Sequence, residues 1–273
     1  MDLLRSYGED AEPIAGGTSL VLMMKQGLVQ PAVVIGLAGI AELHGIRASA
    51  DGGLEIGALA THREIETSAA VRGFAPELAR TFGRIATVRI RNQATVGGNL
   101  VHADPAQDPP PILLALDAEA LVCGGDGARA IPLHAFFVDL FETALSEGEL
   151  LRGVRIPPLP RGARVGYTKF LPRTEDDYAT VSVAALVQVD DEGRCEEIRV
   201  GLGSLGTTPL RARAVEDALR GEVLTPAVVR EAAALVAGEV DPLDDVRGSA
   251  GYKREMARVW IARTIEALAR GDR

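Results

Sequence analysis

The sequence predicts an α+β fold in two domains, and three observations carry that expectation. Pro157-Pro158-Leu159-Pro160-Arg161-Gly162 is the clearest linker in the chain and divides residues 1–158 from residues 163–273. Beyond it, alternating apolar segments come first and helical segments last, the order of an α+β domain. Before it, short β-branched strands are interleaved with helices and with two double-glycine segments, Ala15-Gly16-Gly17-Thr18-Ser19-Leu20 and Thr95-Val96-Gly97-Gly98-Asn99.

Residues 1–7 read as a helical fragment too short to stand as a whole element. Pro13-Ile14-Ala15 forms a short strand leading into the first glycine segment, and a helix runs from Thr18 to Met24, with Ser or Thr capping it. Val33–Ile35 and Leu54–Ala58 are strands. Thr61-His62-Arg63-Glu64 is a capping box that opens a helix toward Ala70, and Pro76–Ile85 is a second helix. The second glycine segment and the polar stretch 102–108 follow as loops. Three prolines then start a helix over 109–116, since proline is tolerated in a first helical turn. Strands over 120–123 and 151–156 complete the first domain. In the second, 164–170, 180–189 and 197–202 alternate like antiparallel strands, with Asp190-Asp191-Glu192-Gly193 turning between the last two. Helices over 210–220, 226–237 and 249–269 finish the chain.

Composition narrows the function classes. Hydrophobic residues make up 47% and charged residues 25% of the 273, the make-up of a folded soluble protein. A net charge of −9 and a pI near 5.1 argue against nucleic acid or an anionic membrane as a main partner. Cys123 and Cys195 lack CxxC spacing and cannot by themselves hold an iron–sulfur cluster or zinc. They read as two incidental thiols in a reducing compartment or as one disulfide. No apolar run approaches the roughly 20 residues of a membrane span and no signal peptide is visible, so a cytoplasmic protein is expected.

The two glycine segments are the candidate site. Adjacent glycines reach positive φ and let a ligand approach without a Cβ in the way, and successive N–H groups in such turns hold anions. Neighbouring Thr and Ser hydroxyls add donors that a phosphate accepts. Each segment alone reads equally as an ordinary tight turn; the pair suits a grip on a diphosphate. Gly201-Leu202-Gly203-Ser204-Leu205-Gly206 matches GxGxxG, but Pro209 delays the next helix and the preceding strand belongs to a hairpin, so it reads as a strand end and turn. His102 with Asp104 falls short of the three or four ligands of a metal site, so no metal is expected. No nucleophile–base arrangement presents itself, and no catalytic residue is expected. That asymmetry points to a chain that carries a cofactor while another chain performs the substrate step.

The segment 15–20 and the run Thr95-Val96-Gly97-Gly98-Asn99-Leu100-Val101-His102-Ala103-Asp104-Pro105 resemble the two flavin-diphosphate loops of the FAD-binding medium subunit of molybdenum hydroxylases, the family of aerobic carbon monoxide dehydrogenase and xanthine dehydrogenase. The resemblance continues through Ile156-Pro157, Tyr167–Phe170, Asp177-Tyr178-Ala179 and Asp245-Val246-Arg247-Gly248. It implies an FAD-binding domain of the vanillyl-alcohol-oxidase (PCMH) type with subdomains over about 1–50 and 51–158, and a smaller C-terminal α+β domain. It also implies that Ala15, Gly16, Gly17, Thr18, Ser19, Leu20, Thr95, Val96, Gly97, Gly98 and Asn99 bind the FAD diphosphate. Ile85 would pack on the flavin and Asp108 would accept from sugar hydroxyls. Leu150 or Leu151 and Lys169 would complete the pocket, although as bare sequence Lys169 reads equally as a strand-edge surface residue. Glu175-Asp176-Asp177 would lie in a loop near the flavin. In that family a strand and a helix precede the first glycine loop, and this sequence opens inside the helix. The partners implied are a molybdenum-cofactor large subunit and a 2Fe-2S small subunit, as a dimer of heterotrimers. Electrons would pass from the iron–sulfur partner through this chain to an external acceptor. A stand-alone flavin oxidoreductase of the same fold and a non-catalytic assembly subunit without FAD are the alternatives.

Overall fold

The computed structural model describes residues 2–125, 127–171, 174 and 176–271. The chain forms two compact units and enters the second one twice: Met1–Ala103 with Glu119–Ile156 make the first, Asp104–Ala118 with Pro157–Arg273 the second. The long segment of the second unit begins at Pro157, within the proline linker, and residues 104–118 join it from earlier in the chain.

In the first unit, α1 (Asp2–Tyr7) leads to β1 (Ala11–Ile14), α2 (Leu20–Lys25) and β2 (Val33–Gly36). The strands β1 and β2 pair in parallel, so α2 is the crossover between them. Next come β3 (Ile46–Ala48), β4 (Leu54–Gly57), α3 (His62–Thr67), α4 (Ala69–Phe74), α5 (Pro76–Gly83), α6 (Val88–Arg91) and α7 (Val96–His102). After the excursion of 104–118, β5 (Glu119–Gly124), β6 (Gly127–Pro132), the small hairpin of β7 (Phe137–Asp139) and β8 (Glu142–Thr143), and β9 (Leu150–Ile156) close the unit. Its main sheet has the order β3-β4-β9-β5-β6, antiparallel throughout.

The capping box at Thr61 forms as the sequence predicts: Glu64 N–H donates to Thr61 Oγ1 at 3.1 Å and Thr61 N–H to Glu64 Oε2 at 2.7 Å. The helix does not continue to Ala70, because Ser68 turns extended and caps α4 through its hydroxyl, 3.3 Å from Val71 N. Strand β6 was not expected, since Gly-Ala-Arg-Ala carries little apolar pattern; its pairing with β5 comes from the hairpin.

The second unit adds α8 (Pro109–Ala115), β10 (Arg164–Phe170), β11 (Val181–Val189), β12 (Cys195–Gly203), β13 (Leu210–Arg211), α9 (Arg213–Leu219), α10 (Pro226–Ala234) and α11 (Ala250–Arg270). Its antiparallel sheet has the order β10-β11-β12-β13. The residues of β11 alternate between two buried faces: Val181, Val183, Ala185 and Val187 belong to a core that includes Val229, Ile261 and Ile265 of α10 and α11, while α8 covers the other face. Every residue of α8 is buried, and a helix apolar all round must be covered on both sides. A Cβ on Gly201 would lie 2.0 Å from the Pro111 carbonyl oxygen, so the strand glycines of the GxGxxG match let α8 approach the sheet. The next helix starts only at Arg213. The expected helix from Leu210 gives way to β13, where Arg211 turns inward and places its Nε and Nη2 2.5 and 2.8 Å from the fully buried Glu216. Arg211 also donates to the Leu114 carbonyl at 3.3 Å, which ties the 104–118 excursion to this unit. Gly193, at φ +79°, completes the 190–193 turn.

Candidate functional site

The first glycine segment joins β1 to α2 and has the features of an open cradle. Gly17 sits at φ +71°, the left-handed region that glycine enters freely. Gly16 is there for close approach: a Cβ would stand 1.9 Å from the Gln93 carbonyl oxygen, two residues before Thr95. Ser19 occupies the cap position of α2 but makes no capping hydrogen bond, contrary to the sequence expectation, because its backbone is already helical at φ −90° and ψ −50°. Among the described residues, the N–H groups of Gly16, Gly17, Thr18 and Ser19 and the hydroxyls of Thr18 and Ser19 have no protein partner. All of these residues are half-buried. A row of unsatisfied donors on a glycine turn suits a phosphate.

The second glycine segment differs from the sequence expectation. It is the first turn of α7, with Thr95 as its cap. The N–H groups of Val96 and Gly97 donate to the carbonyls of Ala60 (3.0 Å) and Ala58 (2.8 Å). Those of Gly98 and Asn99 donate to Thr95, at Oγ1 (3.1 Å) and at the carbonyl (3.0 Å). Its donors are thus already committed to the protein, and neither glycine has a positive φ. The glycines supply room instead. A Cβ on Gly97 would lie 2.6 Å from Ala58 Cβ, whereas one on Gly98 would meet only Thr95 Oγ1 at 3.1 Å and Ala15 Cβ at 3.7 Å. The exposed flank of Gly98 therefore borders the first segment. Beside it, the Asn99 side-chain oxygen is buried with no hydrogen-bond partner among the described residues. The residues present fit a diphosphate: donors from 16–19 and open space at Gly98; the Asn99 oxygen is an acceptor and would take a donor such as a sugar hydroxyl.

Ile85 is buried in the same unit, and its turn is clamped by Arg91, whose Nη1 lies 2.9 Å from the Ile85 carbonyl and 3.0 Å from that of Ala86. Arg91 is itself held by Glu66 at 3.1 Å. Sequence reading did not single out Arg91; the left-handed Ala86 it stabilises, at φ +41°, has no local signature. Leu151 is buried on β9 opposite Val122, and Leu150 is half-buried opposite Cys123.

Asp108 and Lys169 lie in the second unit and are bound to each other. Lys169 Nζ is 2.9 Å from Asp108 Oδ2, with both side chains almost fully buried at 4% and 6% exposure. The reading of Lys169 as a surface residue is thereby overturned. Tyr167, two positions earlier on the same face of β10, donates its hydroxyl to Asp108 Oδ1 at 2.5 Å. Two later pieces of the resemblance also meet: Arg247 stacks over Tyr178, 5.2 Å from the ring centre, and its carbonyl accepts from Thr180. Glu175 lies outside the described residues; Asp176 and Asp177 are in a turn beside it. Both cysteines are free thiols. Among the described residues there is no His, Cys, Asp and Glu group able to hold a metal, and no helix long and apolar enough to cross a membrane.

Fold and site together define a two-unit α+β protein whose first unit carries a glycine turn with unpartnered donors. Comparison with known proteins makes the class specific. Residues 1–159 match the model for the FAD binding domain in molybdopterin dehydrogenase, and residues 166–268 that for the CO dehydrogenase flavoprotein C-terminal domain. The carbon monoxide dehydrogenase medium chain of Afipia carboxidovorans is 36% identical over 97% of this chain and 91% of its own. The 6-hydroxypseudooxynicotine dehydrogenase complex subunit alpha of Paenarthrobacter nicotinovorans is 35% identical over 96% and 88%. A solved carbon monoxide dehydrogenase from Hydrogenophaga pseudoflava superposes with a TM-score of 0.94 at 35% identity, covering 98% of this chain and 92% of that one. The chain belongs to the family of FAD-binding medium subunits of molybdenum hydroxylases, the family that its glycine segments resemble. It is an FAD-carrying oxidoreductase subunit.

Proposed function

We propose that this chain holds FAD by its diphosphate between residues 15–20 and the flank of Gly98. There it relays electrons from a 2Fe-2S partner subunit to an external acceptor, while a molybdenum-cofactor subunit oxidises the substrate. The observation that carries the reading is the row of unpartnered N–H groups at Gly16–Ser19 bordering the space left by Gly98. When bound, the flavin supplies reversible uptake of electrons. The chain's own part is to bind and orient: the cradle donates to the phosphates, Thr95 fixes the turn that carries Gly98 and Asn99, and Arg91 fixes the turn that carries Ile85. Ile85, Leu151, Asp108 and Lys169 are assigned to the flavin and sugar contacts on the family resemblance. A dimer of heterotrimers in the cytoplasm is the assembly that this reading predicts.

The test is reconstitution. The purified chain, titrated with FAD, should acquire an oxidised-flavin absorption spectrum that dithionite bleaches. A chain that takes up no flavin overturns the reading. Co-expression with molybdenum and iron–sulfur subunits should yield one complex by size-exclusion chromatography, and a chain that elutes alone refutes the assembly.

A further inference from the structure

The small hairpin of the first unit turns its apolar tip outward. Phe136 and Phe137 are buried and meet edge to face at 5.4 Å, which roots the hairpin in the core. Beyond that root, Val138, Leu140 and Phe141 are 55%, 42% and 55% exposed. Val101, in the last turn of α7, is exposed as well, and α7 packs on β8. The His102 ring lies against Phe141 with 5.2 Å between centres. Phe141 N–H donates to the Ala103 carbonyl at 3.3 Å, so the hairpin tip is tied to the end of α7. Phe141 also has a left-handed backbone, at φ +59°. A turn that served the fold alone would take glycine there, which avoids both the strain and the exposed ring. The rim of this patch is acidic. Asp139 and Glu142 are exposed, and among the described residues neither carboxylate has a cationic partner.

We propose that Val101, Val138, Leu140 and Phe141 form the docking surface for the electron-donor subunit, a protein that offers an apolar pocket rimmed by lysine and arginine; this rests on the electron relay proposed above. A fixed apolar patch with a polar rim is the make-up of a protein interface, and an exposed aromatic ring held in place is a common anchor. Charge selects the partner's surface: a chain of net charge −9 repels an acidic protein, whereas the unpaired Asp139 and Glu142 attract a basic rim. Position selects the donor. Helix α7 begins at the glycines that border the first segment and ends at the patch. Gly98 and Val101 are three residues apart, roughly 5 Å along its axis. A subunit seated on the patch is thereby brought beside the cradle, as an electron donor requires.

The test titrates the full, FAD-loaded chain with the iron–sulfur subunit by calorimetry. Phe141→Gly removes the ring and relieves the left-handed strain. It should weaken association about tenfold or more, leave the flavin content as it is, and keep or raise the melting temperature. Glu142→Lys reverses a charge on the rim, so it should weaken association and flatten its salt dependence. Wild-type affinity in Phe141→Gly, with or without a fall in melting temperature, would overturn the proposal. A Glu142→Lys chain that binds as well as wild type or better would overturn the basic rim. Should Phe141→Gly fail to fold, Leu140→Ser takes its place, and wild-type affinity there sinks the assignment. A Phe141→Gly chain that loses only the molybdenum subunit, or only self-association on size-exclusion chromatography, gives the patch another occupant and likewise overturns it. A wild-type chain that takes up flavin but binds no iron–sulfur subunit would instead refute the electron relay itself.

Discussion

Gly16 and Gln93 touch backbone to backbone: a Cβ at residue 16 would stand 1.9 Å from the Gln93 carbonyl oxygen and 2.7 Å from its carbonyl carbon. The contact locks the first glycine segment against the chain that enters the second. Both atoms are main chain, so no side-chain rotation can relieve the overlap. Gly16→Ala should therefore displace the cradle, cost roughly 1–3 kcal/mol as overpacking does, and abolish FAD uptake. Thermal unfolding and flavin titration of the purified variant check both parts, and a stable, flavin-loaded Gly16→Ala chain would show that the contact is not needed.

Gly98 separates binding from folding. An added Cβ meets Thr95 Oγ1 closely, at 3.1 Å, and Ala15 Cβ at 3.7 Å, with the rest of the flank open, so a valine there should fold after a small shift of the Thr95 hydroxyl while occupying the space proposed for the phosphates. Thr95→Ala acts differently: it removes the hydroxyl that caps Gly98 N–H, and should lower stability by about 1 kcal/mol. Gly98→Val is expected to lose FAD with its unfolding midpoint little changed, and Thr95→Ala to lose stability first. Equal loss of both properties in the two variants would contradict this division of roles.

Much of this fold is legible in the sequence because its signals are local. The Thr61 capping box, the Asp190–Gly193 turn and the alternation of 164–170 each depend on residues within a few positions of one another. What is not legible depends on distant partners. Residues 109–115 read correctly as a helix, yet nothing in Pro-Pro-Pro-Ile-Leu-Leu-Ala says which unit will cover it. The indirect signal was the pair Gly201 and Gly203 inside a strand, residues whose missing side chains mark close approach by another element. The second glycine segment hid its helix for a related reason. Two glycines have low helix propensity, and α7 exists because Thr95 caps it and Ala58 and Ala60 take its first N–H groups. The Asp108–Lys169 pair joins residues 61 positions apart, a contact that no spacing rule could show.

The GxGxxG match yields a test of its own packing role. Gly201→Ala would drive a Cβ to 2.0 Å from the Pro111 carbonyl oxygen, so the second unit should lose roughly 1–3 kcal/mol of stability. At Gly206, the last glycine of the match, the nearest atom to an added Cβ is 3.7 Å away. Gly206→Ala should therefore be tolerated. In a dinucleotide fingerprint the final glycine is needed for helix–strand packing, so strong destabilisation by Gly206→Ala, measured by urea unfolding, would reopen that reading.

His62 provides the pH dependence. Its ring is buried edge-on against Phe82, 5.2 Å between centres, and Nδ1 has no hydrogen-bond partner among the described residues. Burial, aided by the charge of Arg91, lowers its pKa from the usual 6.5 to about 4. The folded chain thus keeps His62 neutral where the unfolded chain protonates it. Between pH 6.5 and about 4 the unfolded state holds more protons, so stability falls as the pH falls through that window and levels off below it. The whole effect amounts to about 3 kcal/mol, from a shift of that size at roughly 1.4 kcal/mol per pH unit. His62→Leu removes the titrating group and should flatten this part of the profile, whatever it costs in packing at neutral pH. Urea unfolding of both proteins across the window is the measurement, and parallel pH profiles for wild type and variant would exclude His62 as their source.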